Sequence, residues 1–152
     1  MSPRAVAATE LKDLVGQEIG VSEWVLIEQD RIDKFAEATG DHQWIHVDPE
    51  RAGKGPFGST IAHGFLTLSL IPALAWEVYT VEGARLSVNY GLNKLRFITP
   101  VKVGSRVRAR LAVASVEEVP GDALQVATTV TVELEGAEKP AAVAETLTRV
   151  FL

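Results

Sequence analysis

Residues 61–79 constrain the fold more than any other stretch. Ile61, Ala62, Phe65, Leu66, Leu68, Leu70, Ile71, Ala73, Leu74, Ala75, Trp76, Val78 and Tyr79 occupy nearly every face of a helix drawn through them. A helix that is apolar all round cannot lie on a solvated surface and has to be wrapped. A membrane could also cover it, but the most apolar part, residues 61–76, is shorter than the ~18–20 residues that cross a bilayer. That part also carries His63, Gly64, Thr67, Ser69 and Pro72. The expectation is a long buried helix, with Pro72 placed to kink it or to remove one backbone bond.

The wrapping material follows in the sequence. Arg106, Arg108 and Arg110 alternate with Val107, Ala109 and Leu111. Farther on, Val126, Thr128, Val130, Val132 and Leu134 alternate with Gln125, Ala127, Thr129, Thr131 and Glu133. Period-two alternation over such lengths predicts antiparallel strands with one buried face. Pro120-Gly121-Asp122 and residues 136–140 mark turns, and a last strand is expected over residues 141–151. Upstream, residues 21–27 read as a strand. Ile32, Phe35 and Ala36, closed by Gly40, predict an amphipathic helix over residues 28–39. Asp48-Pro49 resembles a helix start that Gly53, Gly55 and Pro56 end within a turn.

The chain therefore reads as one α+β domain over residues 1–152: strand, helix, loop, buried helix and four long antiparallel strands curving around that helix. Such a sheet has open edges, and pairing with a second copy would cover one, so a homodimer is expected.

Composition narrows the chemistry. Of 152 residues 47% are hydrophobic, enough for a sizeable core, and none is cysteine. Disulfides, thiolate nucleophiles and cysteine-ligated metals are thereby excluded. A net charge of −5 gives no global basic footprint for nucleic acid. Residues 1–8 hold one Arg and no apolar run suited to a signal peptide, and a soluble cytoplasmic protein without membrane partners is expected.

The three histidines, His42, His46 and His63, crowd into one part of the chain. The segment Gly40-Asp41-His42-Gln43-Trp44-Ile45-His46-Val47-Asp48-Pro49 puts carboxylates and imidazoles where they can reach one pocket if the loop folds back. A carboxylate and an imidazole can hold a water between them, one group taking its proton and another returning one to a substrate. The spacing also admits a solvated polar loop with a capping Asp and a packed Trp. A metal bound by His42 and His46, with Asp41, Asp48 or His63, fits less well. Such a pair ligates mainly from one helix face, and Gly40 and Pro49 bracket it here. A second cluster, Phe57 to Phe65, places Gly64 at or near the start of the buried helix. Backbone N–H groups there lack helical partners and suit a carbonyl oxygen that acquires negative charge. The other reading of this cluster has Gly58 and Gly64 in tight turns and His63 capping or packed.

Thr39-Gly40-Asp41, followed by His46 and then Ala52, resembles the hydratase 2 signature of MaoC-like proteins. Ile61-Ala62-His63-Gly64-Phe65 resembles the helix-start segment of the same family, and the likeness continues through Gly91-Leu92-Asn93-Lys94-Leu95-Arg96-Phe97 and Pro100-Val101 to Val103-Gly104. The sequence is similar to the single-domain actinobacterial enoyl-CoA hydratases of that group. The resemblance implies a hot-dog fold, usually dimeric, and (R)-specific hydration of trans-2-enoyl-CoA to (3R)-3-hydroxyacyl-CoA, with the reverse dehydration. It implies that Asp41 and His46 hold the reacting water and that the Gly64 amide polarises the thioester carbonyl. Ser69 occupies the position that supports the Asp, with His63 and Asn93 in lesser supporting roles. Trp44 and Phe65 are expected to line the substrate pocket. No metal and no cofactor are expected, coenzyme A being part of the substrate.

Gln43-Trp44 stands where the family commonly has Asn-Pro, so the loop and acyl pocket depart from its pattern. Arg106, Arg108 and Arg110 either meet coenzyme A phosphates or form a solvated sheet face, the latter favoured for arginines on an alternating strand. Competing activities are dehydration of hydroxyacyl groups on acyl carrier protein, and acyl-CoA thioester hydrolysis. A non-catalytic acyl-thioester binding module is the remaining alternative.

Overall fold

The computed structural model describes residues 2–152. Strand β1 (Arg4–Ala7) runs through a 3-10 stretch (Ala8–Leu14) to β2 (Glu18–Val21) and β3 (Val25–Leu26). Helix α1 (Gln29–Thr39) and two single turns, α2 (Trp44–Val47) and α3 (Pro49–Gly53), precede α4 (Gly64–Ser69) and α5 (Ile71–Val78). Strands β4 (Tyr79–Glu82), β5 (Leu86–Phe97), β6 (Arg106–Val119), β7 (Ala123–Leu134) and β8 (Ala142–Phe151) complete the chain.

The main sheet runs β2-β6-β7-β8-β5, with β3 also on β6. Its pairs are antiparallel. Bulges interrupt β5 after Asn89 and Leu92, and β6 after Val113; such insertions bend and twist a strand. Val107, Ala109, Leu111 and Val113 of β6 and Val126, Val130 and Val132 of β7 face Leu66, Ile71, Leu74 and Val78 in one apolar cluster. The period-two reading thus holds for β6 and β7, and the last strand, expected over residues 141–151, is β8. On the other face Arg108 pairs with Glu133 at 2.7 Å and Arg110 with Glu18 at 2.6 Å. Arg106 reaches Glu135 at 3.9 Å. The arginine row is an ion-paired, solvated sheet face.

The expected long helix is two shorter ones. Ile61 and Ala62 are extended: their N–H groups donate to Ile45 O (3.0 Å) and Val101 O (2.8 Å), so helix begins only at Gly64. Pro72 has no N–H to return to the Leu68 carbonyl, and the chain is reset at Leu70 between α4 and α5. Tyr79 is already extended and opens β4, which pairs in parallel with β1. Nor is the helix wrapped on every side. Phe65 is 63% and Trp76 67% exposed. They share the surface with exposed Leu86, Val88, Tyr90 and Leu92 of β5, an edge strand that among the described residues pairs with β8 alone.

Residues 21–27, expected as one strand, divide into the end of β2 and β3. Between them Ser22 turns its side chain into the ladder: its N–H donates to Ala109 O (2.9 Å), and its Oγ accepts the Ala109 N–H (2.9 Å). Both residues are buried. Ser22→Ala leaves that amide without its acceptor and is expected to destabilise the fold by about 1–3 kcal/mol. The urea midpoint should fall with an unchanged m-value.

Candidate active site

Helix α1 stops because Gly40 adopts φ 83°, where its N–H returns to Ala36 O (2.8 Å). The reversal brings residues 41–43 back against the helix. Thr39 Oγ1 donates to Phe35 O (2.7 Å), and Asp41 Oδ1 accepts the Gln43 N–H (3.3 Å). The turn α2 then points His46 inward. Asp48 caps α3 by accepting the Arg51 N–H at 3.1 Å, as Asp48-Pro49 indicated. His42 stays at the surface, 3.8 Å from Glu37.

His46 is 6% exposed, and its Nδ1 lies 2.7 Å from Ile61 O. A carbonyl only accepts, so Nδ1 carries the hydrogen and Nε2 of the neutral ring is bare. Burial pushes the His46 pKa below its ordinary value. The Ile61 carbonyl pulls it back, His63 lowers it further, and the Asp41 charge raises it. His63, 3% exposed, stacks on His46 with ring centroids 3.8 Å apart and planes 21° from parallel. Its Nε2 lies 3.0 Å from the backbone oxygen of Asp41. One side-chain donor atom from each of Asp41, His46 and His63 lies within 4.8 Å of the others, with Asp41 exposed at the mouth.

The trio suits a proton-handling site: a bare imidazole nitrogen in a dry setting beside a carboxylate that meets solvent.

Gly64 is the first residue of α4, so its N–H has no partner within the helix. Glycine is needed there for close approach: an added Cβ would stand 2.7 Å from Cδ2 of Phe97. The other expected residues scatter. Ser69 Oγ donates to Phe65 O at 2.7 Å, one turn back in its own helix. Asn93 Nδ2 donates to Glu145 Oε2 at 2.6 Å across β5 and β8. Trp44 packs between the Arg51 guanidinium, 4.3 Å from its ring centroid, and Gly55, whose added Cβ would approach to 3.1 Å. Phe65 leans on Phe97 at 5.9 Å.

Three features were not legible beforehand. Gln29 donates to His46 O (2.7 Å) and accepts from Thr60 Oγ1 (2.5 Å), tying α1 to both segments of the site. Phe97 closes over Gly64 from a distant strand. A cavity of about 740 Å³ opens between α4–α5 and β5–β8, with Ser69, Pro72, Trp76, Tyr79, Tyr90 and Thr146 in its wall. Burial pushes the Tyr79 hydroxyl pKa up, partly offset by Thr128, so it remains an O–H there.

Residues 10–136 match the MaoC like domain model. The chain belongs to the MaoC-like family. It is 54% identical over 143 residues to the 3-hydroxyacyl-thioester dehydratase Z of Mycobacterium tuberculosis, covering 94% of this chain and 95% of that protein. Among solved structures, the (R)-hydratase from A. caviae involved in PHA biosynthesis superposes with a TM-score of 0.71 at 26% identity, over 88% of this chain and 94% of that one. An R-hydratase from Pseudomonas aeruginosa gives a TM-score of 0.68 at 29% identity, covering 90% and 81%. The MaoC-like fold is the hot-dog arrangement, here an α4–α5 core against a curved antiparallel sheet.

The depressed pKa of His46 fixes the sign of one pH effect. As pH falls through about 6.5, the unfolded chain takes up this proton before the folded one, so stability is lost below that pH until the folded pKa is passed. Thermal melts should show Tm falling between pH 7.5 and 5.5, and the fall should be smaller in His46→Gln.

Proposed function

We propose that the chain adds water reversibly to trans-2-enoyl-CoA, giving (3R)-3-hydroxyacyl-CoA. Family membership makes it an enzyme of the hydro-lyase class, and the name of its 54% identical relative describes the reverse direction on a thioester. The observation that carries the finer reading is the buried His46, with Nδ1–H spent on Ile61 O, Nε2 bare, and a ring nitrogen within 4.8 Å of an Asp41 carboxylate oxygen. A water held by that pair gives its oxygen to C3 while a proton is delivered to C2 on the same face. Negative charge develops on the thioester oxygen, and the Gly64 N–H is the donor the chain offers it. Coenzyme A enters as part of the substrate, and this chemistry asks for no separate cofactor.

The cavity walled by Ser69, Pro72, Trp76 and Tyr79 is the proposed seat of the acyl tail. The apolar cluster from Val6 to Val150 supports a single domain. No helix among the described residues is long and apolar enough to cross a membrane, and we place the protein in the cytoplasm, where acyl-CoA is made and used. The exposed β5 edge with Leu86, Val88 and Tyr90 supports a homodimer. Light scattering at micromolar concentration should give twice the chain mass, and Val88→Lys with Tyr90→Lys should lower it.

Crotonyl-CoA hydration should lose a factor on the order of 10²–10⁴ in kcat in Asp41→Asn and in His46→Gln, with circular dichroism unchanged. Near-normal turnover by both variants, or an (S) product on chiral analysis, would overturn the reading. Release of free coenzyme A would point instead to thioester hydrolysis, and a strong preference for acyl carrier protein thioesters to the carrier-bound substrate.

A further inference from the structure

His63 belongs to no step above, yet at 3% exposure it is more enclosed than His46. Its ring lies between His46, at 3.8 Å, and Phe35, at 4.9 Å. Its Nε2 is 3.0 Å from Asp41 O, which only accepts, so the hydrogen is on Nε2. Its Nδ1 is buried without a hydrogen-bond partner. The titratable groups acting on His46 are Asp41 from the loop and His63 from the α4 cap, while α1 presents only the Gln29 amide.

We propose that His63 is the positioning residue of the site, fixing Asp41 through its backbone oxygen and holding the His46 ring by stacking on it. Both anchors come from one residue, whose own carbonyl receives the Leu66 N–H (3.0 Å) to start α4. The loop bearing Asp41, the His46 ring and the helix presenting Gly64 therefore share His63 as a common reference. This role rests on the hydratase reading for its kinetic consequence but not for its geometry.

Two measurements on the full-length protein test it. Nitrogen-15 NMR of labelled histidines in the parent should find the His63 hydrogen on Nε2, hydrogen-bonded to the Asp41 carbonyl. A His63 in the Nδ1–H tautomer, its Nε2 bare, overturns the proposal. Kinetics then compare His63→Gln, which keeps a donor near the Nε2 position, with His63→Phe, which keeps the stacked ring and loses the donor. His63→Phe should lower kcat for crotonyl-CoA by about 10–100-fold with KM within about threefold, the scale of lost supporting hydrogen bonds. His63→Gln should recover most of that loss. Equal loss in both variants, with melts showing both folded, overturns the positioning role. If the parent hydrates no enoyl thioester, the hydratase reading fails and the NMR arm alone decides the case for His63.

Discussion

The extended segment formed by residues 60–63 is where the site is held together. Thr60 O accepts the Val103 N–H, Ile61 N–H donates to Ile45 O, and Ala62 N–H donates to Val101 O. Every backbone group named there is drawn to a different part of the chain, so the segment cannot relax into helix without losing several buried hydrogen bonds. Its side-chain contacts extend the same role. Thr60 meets Gln29, the Ile61 carbonyl sets the tautomer of His46, and His63 holds Asp41. One buried strand-like stretch thus sets the charge state and orientation of the proposed catalytic pair.

The electrostatic contrast at the site follows from that burial. His46 is enclosed and its proton affinity is depressed, whereas Asp41 meets solvent at the mouth. Two groups in unlike environments are suited to exchanging a proton with a water placed between them. The neighbouring apolar surface, with Phe65 and Phe97 beside Gly64, flanks the proposed carbonyl-binding amide. A hydrogen bond in such a setting is stronger than the same bond in water.

Much of this was legible in particular residues. The alternation around Arg106 and Val126 located β6 and β7 and their buried faces, because a strand in a one-sided sheet repeats its environment every second residue. Gly40 closed α1, and Asp48-Pro49 opened α3. The helix over residues 61–79 was misjudged at both ends and in the middle. Apolar content describes how deeply residues lie and says nothing about which partner takes their N–H groups. Ile61 and Ala62 gave theirs to Ile45 and Val101, partners set by tertiary packing. Strands β1 and β4 escaped notice because each is four residues long and they stabilise one another in parallel.

By itself, the sequence determined the fold class and the family: a long apolar stretch called for a covering sheet, and the segments around Asp41, His46 and Gly64 carried the family resemblance and the candidate site. Only the tertiary structure decided how those groups stand. It placed Nδ1 of His46 on Ile61, brought Phe97 over Gly64, and turned His63 toward Asp41. It also bonded Ser69 to its own helix and Asn93 to Glu145. Residue type fixes what a side chain can donate or accept, but its partner is chosen by long-range packing, which one-dimensional spacing does not encode.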